Sequence, residues 1–274
     1  MSRIDTIFES LKSQGRKGLM PFLCGGFPKQ GATEAAIRAL DAAGASVIEV
    51  GIPFSDPIAD GPVIAHAMHD AITRGATPRS VLAEVAAARP HVQAGLVAMM
   101  SISLIYRMSA QRSGPWSADG FIHAAKEAGL DGLIVPDAPL EESAALSAAA
   151  TAAGLSYVQI ISPTTPTPRI ESLVKACTGF VYVLARVGIT GVQNAMPNIG
   201  PLVARVRGFT ALPIAVGFGV STAEHVSKVV EHADAAIIGS ALVKRMREAD
   251  ERGEDAAAAA GEFVKNLSSG LSRA

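Results

Sequence analysis

Cysteine and aromatic residues are scarce in this 274-residue chain. Cys24 and Cys177 are its only two cysteines. Two thiols in a chain of this length do not form a disulfide framework, and they lack the spacing of a cysteine metal site. Because aromatic residues make up only 5% of the chain, no platform for stacking nucleic-acid bases is indicated.

An excess of charge of either sign is also missing, since 24 Lys and Arg residues face 25 Asp and Glu residues. Binding to phosphodiester backbones needs a basic surface, so nucleic acid is not an expected partner. The longest apolar stretch, residues 95–106, is shorter than the roughly 20 residues of a membrane span. The amino terminus lacks the apolar region of a signal peptide. We therefore expect a cytoplasmic protein with no membrane contact.

Apolar residues are abundant, at 49% of the chain, which suffices for a large core. Short runs rich in Val, Ile and Leu alternate with Ala-rich helical segments, and no linker divides the chain. Such runs are typical of parallel strands buried on both faces and joined by crossover helices. We predict about eight strands, at residues 19–24, 47–51, 95–100, 132–135, 157–161, 180–184, 213–217 and 235–239.

Glycine follows several predicted helices just before the next strand, as at Gly44, Gly129 and Gly154. Glycine in the left-handed conformation is a common helix stop. The repeated strand–helix units predict an α/β protein whose residues 1–274 form a single TIM (β/α)8 barrel domain with extra short helices. An open doubly wound sheet fits the alternation almost as well. In both folds the loops after the strand carboxyl ends carry the ligand chemistry.

A carboxylate lies inside the second predicted strand, where Glu49 interrupts an apolar run. A buried carboxylate without a partner must pair, rise in pKa or line a cavity. Asp60 follows in a loop stiffened by Pro53, Pro57 and Pro62. Two carboxylates in different environments at one cleft suit general acid and base catalysis. The structural alternative is that Glu49 bonds a neighbouring strand and Asp60 caps the following helix.

Glycine-containing turns follow the last three predicted strands. Backbone N–H groups at glycine can approach an anion closely, and a helix amino terminus adds to the attraction. The pattern therefore indicates a phosphate site, although glycines also serve plain turns. The three turns are Gly188-Ile189-Thr190-Gly191, Gly217-Phe218-Gly219-Val220-Ser221 and Gly239-Ser240.

His66 and His69 are three residues apart on the predicted helix after Pro62. This spacing places both imidazoles on one side of a helix. No third ligand with a recognised metal-site spacing is nearby. We interpret both as solvated surface histidines and predict no metal site.

Residues 49–62 read EVGIPFSDPIADGP, and this segment resembles the signature of the tryptophan synthase α subunit family. The resemblance runs nearly end to end and favours the TIM barrel. It departs from the family pattern at residues 100–104, which read MSISL where many members carry a tyrosine and an asparagine. Further agreement lies at Pro21-Phe22, residues 132–137, residues 188–191, residues 217–219 and Gly239-Ser240.

The resemblance implies a lyase that needs no cofactor in this chain. The expected reaction is retro-aldol cleavage of indole-3-glycerol phosphate to indole and D-glyceraldehyde 3-phosphate. Glu49 is then the catalytic acid and base, Asp60 holds or deprotonates the indole N–H, and Tyr182 assists by hydrogen bonding. The implied phosphate contacts are Gly191, Gly219, Gly239 and Ser240, and the implied indole contacts are Phe22, Met99, Ile160 and Phe218.

The resemblance also implies a β subunit that carries pyridoxal phosphate (PLP) and consumes the indole in an α2β2 tetramer. Residues 53–60 and 185–197 are the expected contact and closure loops, with Thr190 acting in closure. Three alternatives remain at this point. They are another phosphate-handling barrel such as an isomerase of histidine or thiamine biosynthesis, a free-standing indole-releasing lyase, and a non-catalytic barrel that only binds a partner.

Overall fold

The computed structural model describes residues 2–57, 60–113, 118–186, 197–217 and 219–271, with the backbone alone for residues 110–113. Its strands are β1 (Gly18–Cys24), β2 (Val47–Gly51), β3 (Gly95–Met99), β4 (Gly132–Ile134), β5 (Ser156–Val158), β6 (Ile160–Ile161), β7 (Val181–Leu184), β8 (Ile214–Gly217) and β9 (Ala235–Ile238). Its helices are α1 (Arg3–Ser13), α2 (Ala32–Ala42), α3 (Pro62–Thr73), α4 (Pro78–Ala88), α5 (Ile102–Ser113), α6 (Asp119–Glu127), α7 (Ala144–Ala152), α8 (Thr167–Ala176), α9 (Gly200–Arg207), α10 (Ala223–Val230), α11 (Ser240–Glu251) and α12 (Ala256–Ser268), besides a 3₁₀ helix at Arg89–His91.

The strands form one parallel sheet that closes into a barrel. Their order is β5-β4-β3-β2-β1-β9-β8-β7-β6, so the two ends of the sheet are consecutive pieces of chain separated by Gln159. β5 pairs with β4 and β6 pairs with β7. The backbone N–H of Tyr182 donates to the Gln159 carbonyl at 3.2 Å. Residues 156–161 thus join both ends of the sheet, and the TIM barrel is confirmed over the open doubly wound sheet.

All of the predicted strands occur, and their ends lie within one residue of the expected positions. The one difference is that the fifth predicted strand is divided into β5 and β6 at Gln159. The backbone N–H of Gln159 donates to the Cys177 sulfur at 3.2 Å instead of to a neighbouring strand. Its side-chain amide reaches the Ser143 hydroxyl at 3.3 Å. The predicted helix stops are also confirmed, because Gly44, Gly129 and Gly154 have positive φ angles.

Helix α1 covers the amino-terminal end of the barrel interior. Its buried side chains Ile4, Phe8 and Leu11 pack with inward-facing strand residues in one apolar cluster. The rings of Phe8 and Phe180 lie 5.9 Å apart between centroids. Ser2 caps this helix by accepting the N–H of Asp5. Side chains therefore fill this end of the barrel, which leaves the carboxyl ends of the strands for a site.

A second apolar cluster lies between the strands and the surrounding helices. It includes Leu23, Ile48, Leu96 and Leu133, which alternate along their strands with the inward-facing residues. The strands are buried on both faces, which explains their continuous apolar runs.

The barrel has more helices than a single one after each strand. Helix α1 precedes β1, and two helices instead of one follow β2, β3 and β9. No helix in the described part of the chain has both the length and the apolarity to cross a membrane.

Candidate active site

A cavity of about 250 Å³ lies at the carboxyl ends of the strands. Most of its wall is apolar, and a few polar side chains converge on it, which is the usual composition of a small-molecule site. The apolar wall includes Phe22, Ile52, Ile64, Met68, Met99, Met100, Ile160, Leu184 and Ile237. The polar side chains are Asp56, Asp60, Ser101, Asp137, Tyr182 and Ser240.

Glu49 lies in the middle of β2, opposite Phe22 of β1 and Val97 of β3. Val47, two residues earlier, packs in the barrel interior, and alternation along a strand turns Glu49 to the same side. Its carboxyl group is completely buried and has no hydrogen-bond partner among the described residues. Burial raises the pKa of Glu49 to about 8. The structural alternative, in which Glu49 bonds a neighbouring strand, is therefore wrong, and the carboxyl group is mostly protonated at neutral pH.

Asp60 lies in the loop between β2 and α3, where its backbone N–H donates to the Pro57 carbonyl at 3.0 Å. Its side chain lines the cavity. Burial raises the pKa of this carboxyl group to about 6. The cap residue of α3 is Gly61, which makes no side-chain capping bond. The alternative role of Asp60 as a helix cap is therefore wrong.

Tyr182 on β7 lies within electrostatic range of both carboxyl groups. It is buried and lines the cavity. Burial raises the pKa of its phenol well above 10, and the negative charges of Glu49 and Asp60 raise it further. The barrel thus brings one phenol within electrostatic range of two carboxyl groups of different pKa, a grouping that can move protons. Asp60 and Tyr182 line the cavity, whereas Glu49 is buried on β2 and is not among the lining residues.

The turns after β8 and β9 contribute Gly219, Gly239 and Ser240 to the cavity wall. Gly219 has a φ of +93°, a conformation that favours glycine. Ser240 is the first residue of α11, and its buried hydroxyl has no hydrogen-bond partner in the described part of the chain. An unpartnered hydroxyl at a helix amino terminus suits an anionic ligand. Gly191, the fourth expected phosphate contact, lies outside the described residues.

Three of the four expected indole contacts, Phe22, Met99 and Ile160, line the cavity. Phe218 lies outside the described residues, and so does Thr190, the expected closure residue. Sequence reasoning missed Ser101 and Asp137 as cavity residues. Their positions directly after β3 and β4 were an available signal, because the strand ends of a barrel converge on one face.

His66 and His69 are exposed on α3, as expected of surface histidines. The described residues contain no group of three or more histidine, cysteine or acidic side chains that could hold a metal ion. Cys24 and Cys177 are buried free thiols.

The chain is similar to known proteins in both sequence and structure. Residues 8–272 match the family model described as "Tryptophan synthase alpha chain". The chain is 39% identical to the tryptophan synthase alpha chain of Chloroflexus aurantiacus over 100% of both chains. It is 42% identical to that of Chloroflexus aggregans over 90% of each. Among solved structures, it is similar to tryptophan synthase subunit alpha of Legionella pneumophila, with 32% identity, a TM-score of 0.87 and full coverage of both chains. A structure of Mycobacterium tuberculosis tryptophan synthase matches with 31% identity, a TM-score of 0.87 and 98% coverage of each chain.

Proposed function

Since the chain belongs to the family of tryptophan synthase α chains, we propose that its own carboxyl groups and late glycine turns carry out the reaction of that family. The enzyme is a lyase that cleaves indole-3-glycerol phosphate to indole and D-glyceraldehyde 3-phosphate. The observation that carries the residue assignments is a pair of carboxyl groups in different surroundings, the buried Glu49 with a pKa of about 8 and the half-buried Asp60 with a pKa of about 6. One carboxyl group can then donate a proton while the other accepts one at the same pH.

Glu49 acts first as the general acid in the proposed mechanism. It donates its proton to C3 of the indole ring, while the Asp60 carboxylate accepts a hydrogen bond from the ring N–H and stabilises the positive charge that develops there. The protonated ring becomes an electron sink. The Glu49 carboxylate then removes the proton of the hydroxyl group on the carbon next to the ring.

The bond between that carbon and C3 breaks in the second step. Its electron pair returns to the ring and restores indole, which keeps the proton that Glu49 donated. The oxygen that lost its proton becomes the aldehyde of glyceraldehyde 3-phosphate. Glu49 ends the cycle protonated, so no net proton is consumed. The Tyr182 phenol, in electrostatic range of both carboxyl groups, supports these proton transfers by hydrogen bonding.

The phosphate group of the substrate would bind at Gly219, Gly239 and Ser240, where the hydroxyl of Ser240 lacks a partner among the described residues. The sequence adds Gly191 to this site. The indole ring would lie against Phe22, together with Met99, Ile160 and Phe218. The apolar wall of the cavity supports the assignments of Phe22, Met99 and Ile160, and its rim after β8 and β9 supports the phosphate contacts there. Gly191 and Phe218 are assigned from the sequence alone.

The chain works with a β subunit, as members of its family do. We propose further that the assembly is an α2β2 tetramer in the cytoplasm and that PLP is carried by the β subunit, with none in this chain. Residues 1–274 form one domain in this proposal. The β subunit would bind at residues 53–60, and Thr190 would act in closing the loop of residues 185–197 over the site.

The test is to incubate the purified chain with indole-3-glycerol phosphate and to follow indole release, with and without the β chain. Indole release supports the lyase. A rearranged phosphate product without indole would identify an isomerase, and no turnover in either condition would identify a non-catalytic barrel. Rapid release that the β chain does not alter would identify a free-standing lyase.

A further inference from the structure

The segments that follow β3 and β4 are tied together by one carboxylate. The Ser101 hydroxyl donates to one oxygen of Asp137 at 2.6 Å, and the backbone N–H of Ile102 donates to the other oxygen at 2.9 Å. The Ser101 oxygen in turn accepts the backbone N–H of Ser103 at 3.2 Å. Asp137 therefore holds Ser101 and the first turn of α5 through a short chain of hydrogen bonds.

This arrangement stabilises the start of α5 in two ways. The first two N–H groups of a helix have no partner within the helix, and here Asp137 and Ser101 accept them. A carboxylate near a helix amino terminus is also stabilised by the helix dipole, and hydrogen bonds to charged acceptors are the stronger ones. The start of α5 cannot shift without losing these interactions.

Asp137 is also part of a wall that two cavities share. With Pro136 and Ile160 it lines the cavity described above, and the same three residues line a second cavity of about 460 Å³. The second cavity extends to Ser162 and Arg169, beyond the barrel interior. Asp137 therefore forms part of the boundary between the two cavities.

This wall lies across the barrel from the proposed phosphate contacts. Those contacts follow β8 and β9, whereas Ser101 and Asp137 follow β3 and β4. Three strands separate β4 from β9 in one direction around the sheet. If the phosphate group lies after β8 and β9, the indole ring extends toward Asp137.

We propose that Asp137 is a positioning residue, which fixes through Ser101 and the start of α5 the wall against which the indole ring rests. This inference depends on the proposed function, because it takes the cavity to be the site of indole-3-glycerol phosphate. The carboxylate itself takes no part in proton transfer. Its role is to keep the ring end of the cavity closed and of fixed depth.

The experiment uses three single variants of the full chain. Asp137→Asn and Ser101→Ala each remove part of the hydrogen-bond chain, and Ser101→Thr is the conservative variant that keeps the hydroxyl group. Binding of indole and of glycerol 3-phosphate is titrated separately, and indole release from indole-3-glycerol phosphate is followed. We expect Asp137→Asn and Ser101→Ala to weaken indole binding and raise KM about tenfold, a change of about 1.4 kcal/mol. Affinity for glycerol 3-phosphate should stay within about twofold, and kcat should change less than KM. Ser101→Thr, which keeps the hydroxyl group that donates to Asp137, should stay much closer to the parent values than Ser101→Ala.

Arg169→Gln is the control, because Arg169 lines only the second cavity and its ion pair with Glu141 is exposed. It should match the parent chain in every readout, and weakening of indole binding by this variant would overturn the inference. Indole binding that is unchanged in both Ser101→Ala and Asp137→Asn would also overturn it. A parallel loss of affinity for indole and for glycerol 3-phosphate would do the same, since that is the result of general unfolding. If the parent chain releases no indole, the proposed function fails instead, and the two failures are thus distinguishable.

Discussion

Glu49 and Asp60 show at the scale of single residues how burial can separate two similar side chains. Neither carboxyl group has an ordinary pKa, because Glu49 is removed from water completely and Asp60 partly, and the more deeply buried Glu49 is shifted further. Glu49 was recognisable in the sequence because an acid inside an apolar strand is costly to bury. The tie between Ser101 and Asp137 was not recognisable, since the two residues lie far apart in sequence and meet only after β3 and β4 pair.

The pH dependence of kcat/KM should be bell-shaped. Asp60 must be ionised to hold the ring N–H, so activity should rise through about pH 6. Glu49 must carry its proton at the start, so activity should fall through about pH 8. Initial rates of indole release between pH 5 and 9.5 measure both limbs, which report the free enzyme. An acidic limb that persists unchanged in Asp60→Asn would contradict the assignment of Asp60.

Glu49→Gln should lower kcat by the 10²–10⁴ that a general acid or base contributes while the fold is retained. Its effect on stability should depend on pH. Because the pKa of Glu49 is raised on folding, the folded chain binds more protons than the unfolded chain between about pH 4.5 and about pH 8. The parent chain therefore loses stability as pH rises through this window, and the glutamine variant does not lose this contribution.

Urea unfolding of the parent and Glu49→Gln at pH 5 and pH 8 measures this difference. Glu9→Gln is a matched control, because Glu9 is exposed on α1; it should leave both kcat and the pH dependence of stability unchanged. Near-normal turnover in Glu49→Gln would remove Glu49 from the mechanism.

At the scale of structural elements, the start of α11 is the proposed anion site. A Cβ atom at Gly239 would meet only the end of Ile64 at 3.8 Å, an ordinary contact. Gly239→Val should therefore fold, yet its side chain would block the backbone N–H groups from an anion. We expect a higher KM and weaker inhibition by glycerol phosphate, with cleavage still occurring at saturation. Gly219→Val should act in the same direction, but the positive φ of Gly219 adds backbone strain.

Ser240→Ala separates phosphate binding from folding. A hydrogen bond to a charged group contributes about 1.5–3 kcal/mol, so KM should rise at least about tenfold. The melting temperature should not fall, because the hydroxyl group has no partner among the described residues. Unchanged affinity for glycerol phosphate in both Ser240→Ala and Gly239→Val would mean that the anion binds elsewhere.

The order and placement of the elements could be predicted from sequence because each strand is a continuous apolar run between helices. The division of the fifth strand at Gln159 could not, since it depends on contacts with Cys177 and Ser143. Ser143 lies at the start of α7 and Cys177 at the end of α8, and nothing within residues 156–161 predicts these contacts. Long-range contacts of this kind are the part of the fold that a local pattern does not contain.

At the scale of the whole molecule, the β subunit should accelerate cleavage at least about tenfold, which corresponds to roughly 1.4 kcal/mol of coupling. Asp60 lies on a loop, and a partner that binds residues 53–60 would favour the arrangement in which Asp60 holds the substrate. The rate gain cannot exceed the preference of the partner for that arrangement. Indole release measured with and without the β chain tests this, and a chain that is fast alone and indifferent to β would contradict it.

Helix α1, which covers the amino-terminal end of the barrel, determines at which end the substrate enters and the products leave. With Ile4, Phe8 and Leu11 packed into that end, substrate entry and the departure of both products must share the opposite face. Indole is small and apolar and would diffuse away if it left into open water. A protein that covers this face therefore controls the fate of indole, because indole then passes to that protein instead of diffusing into water.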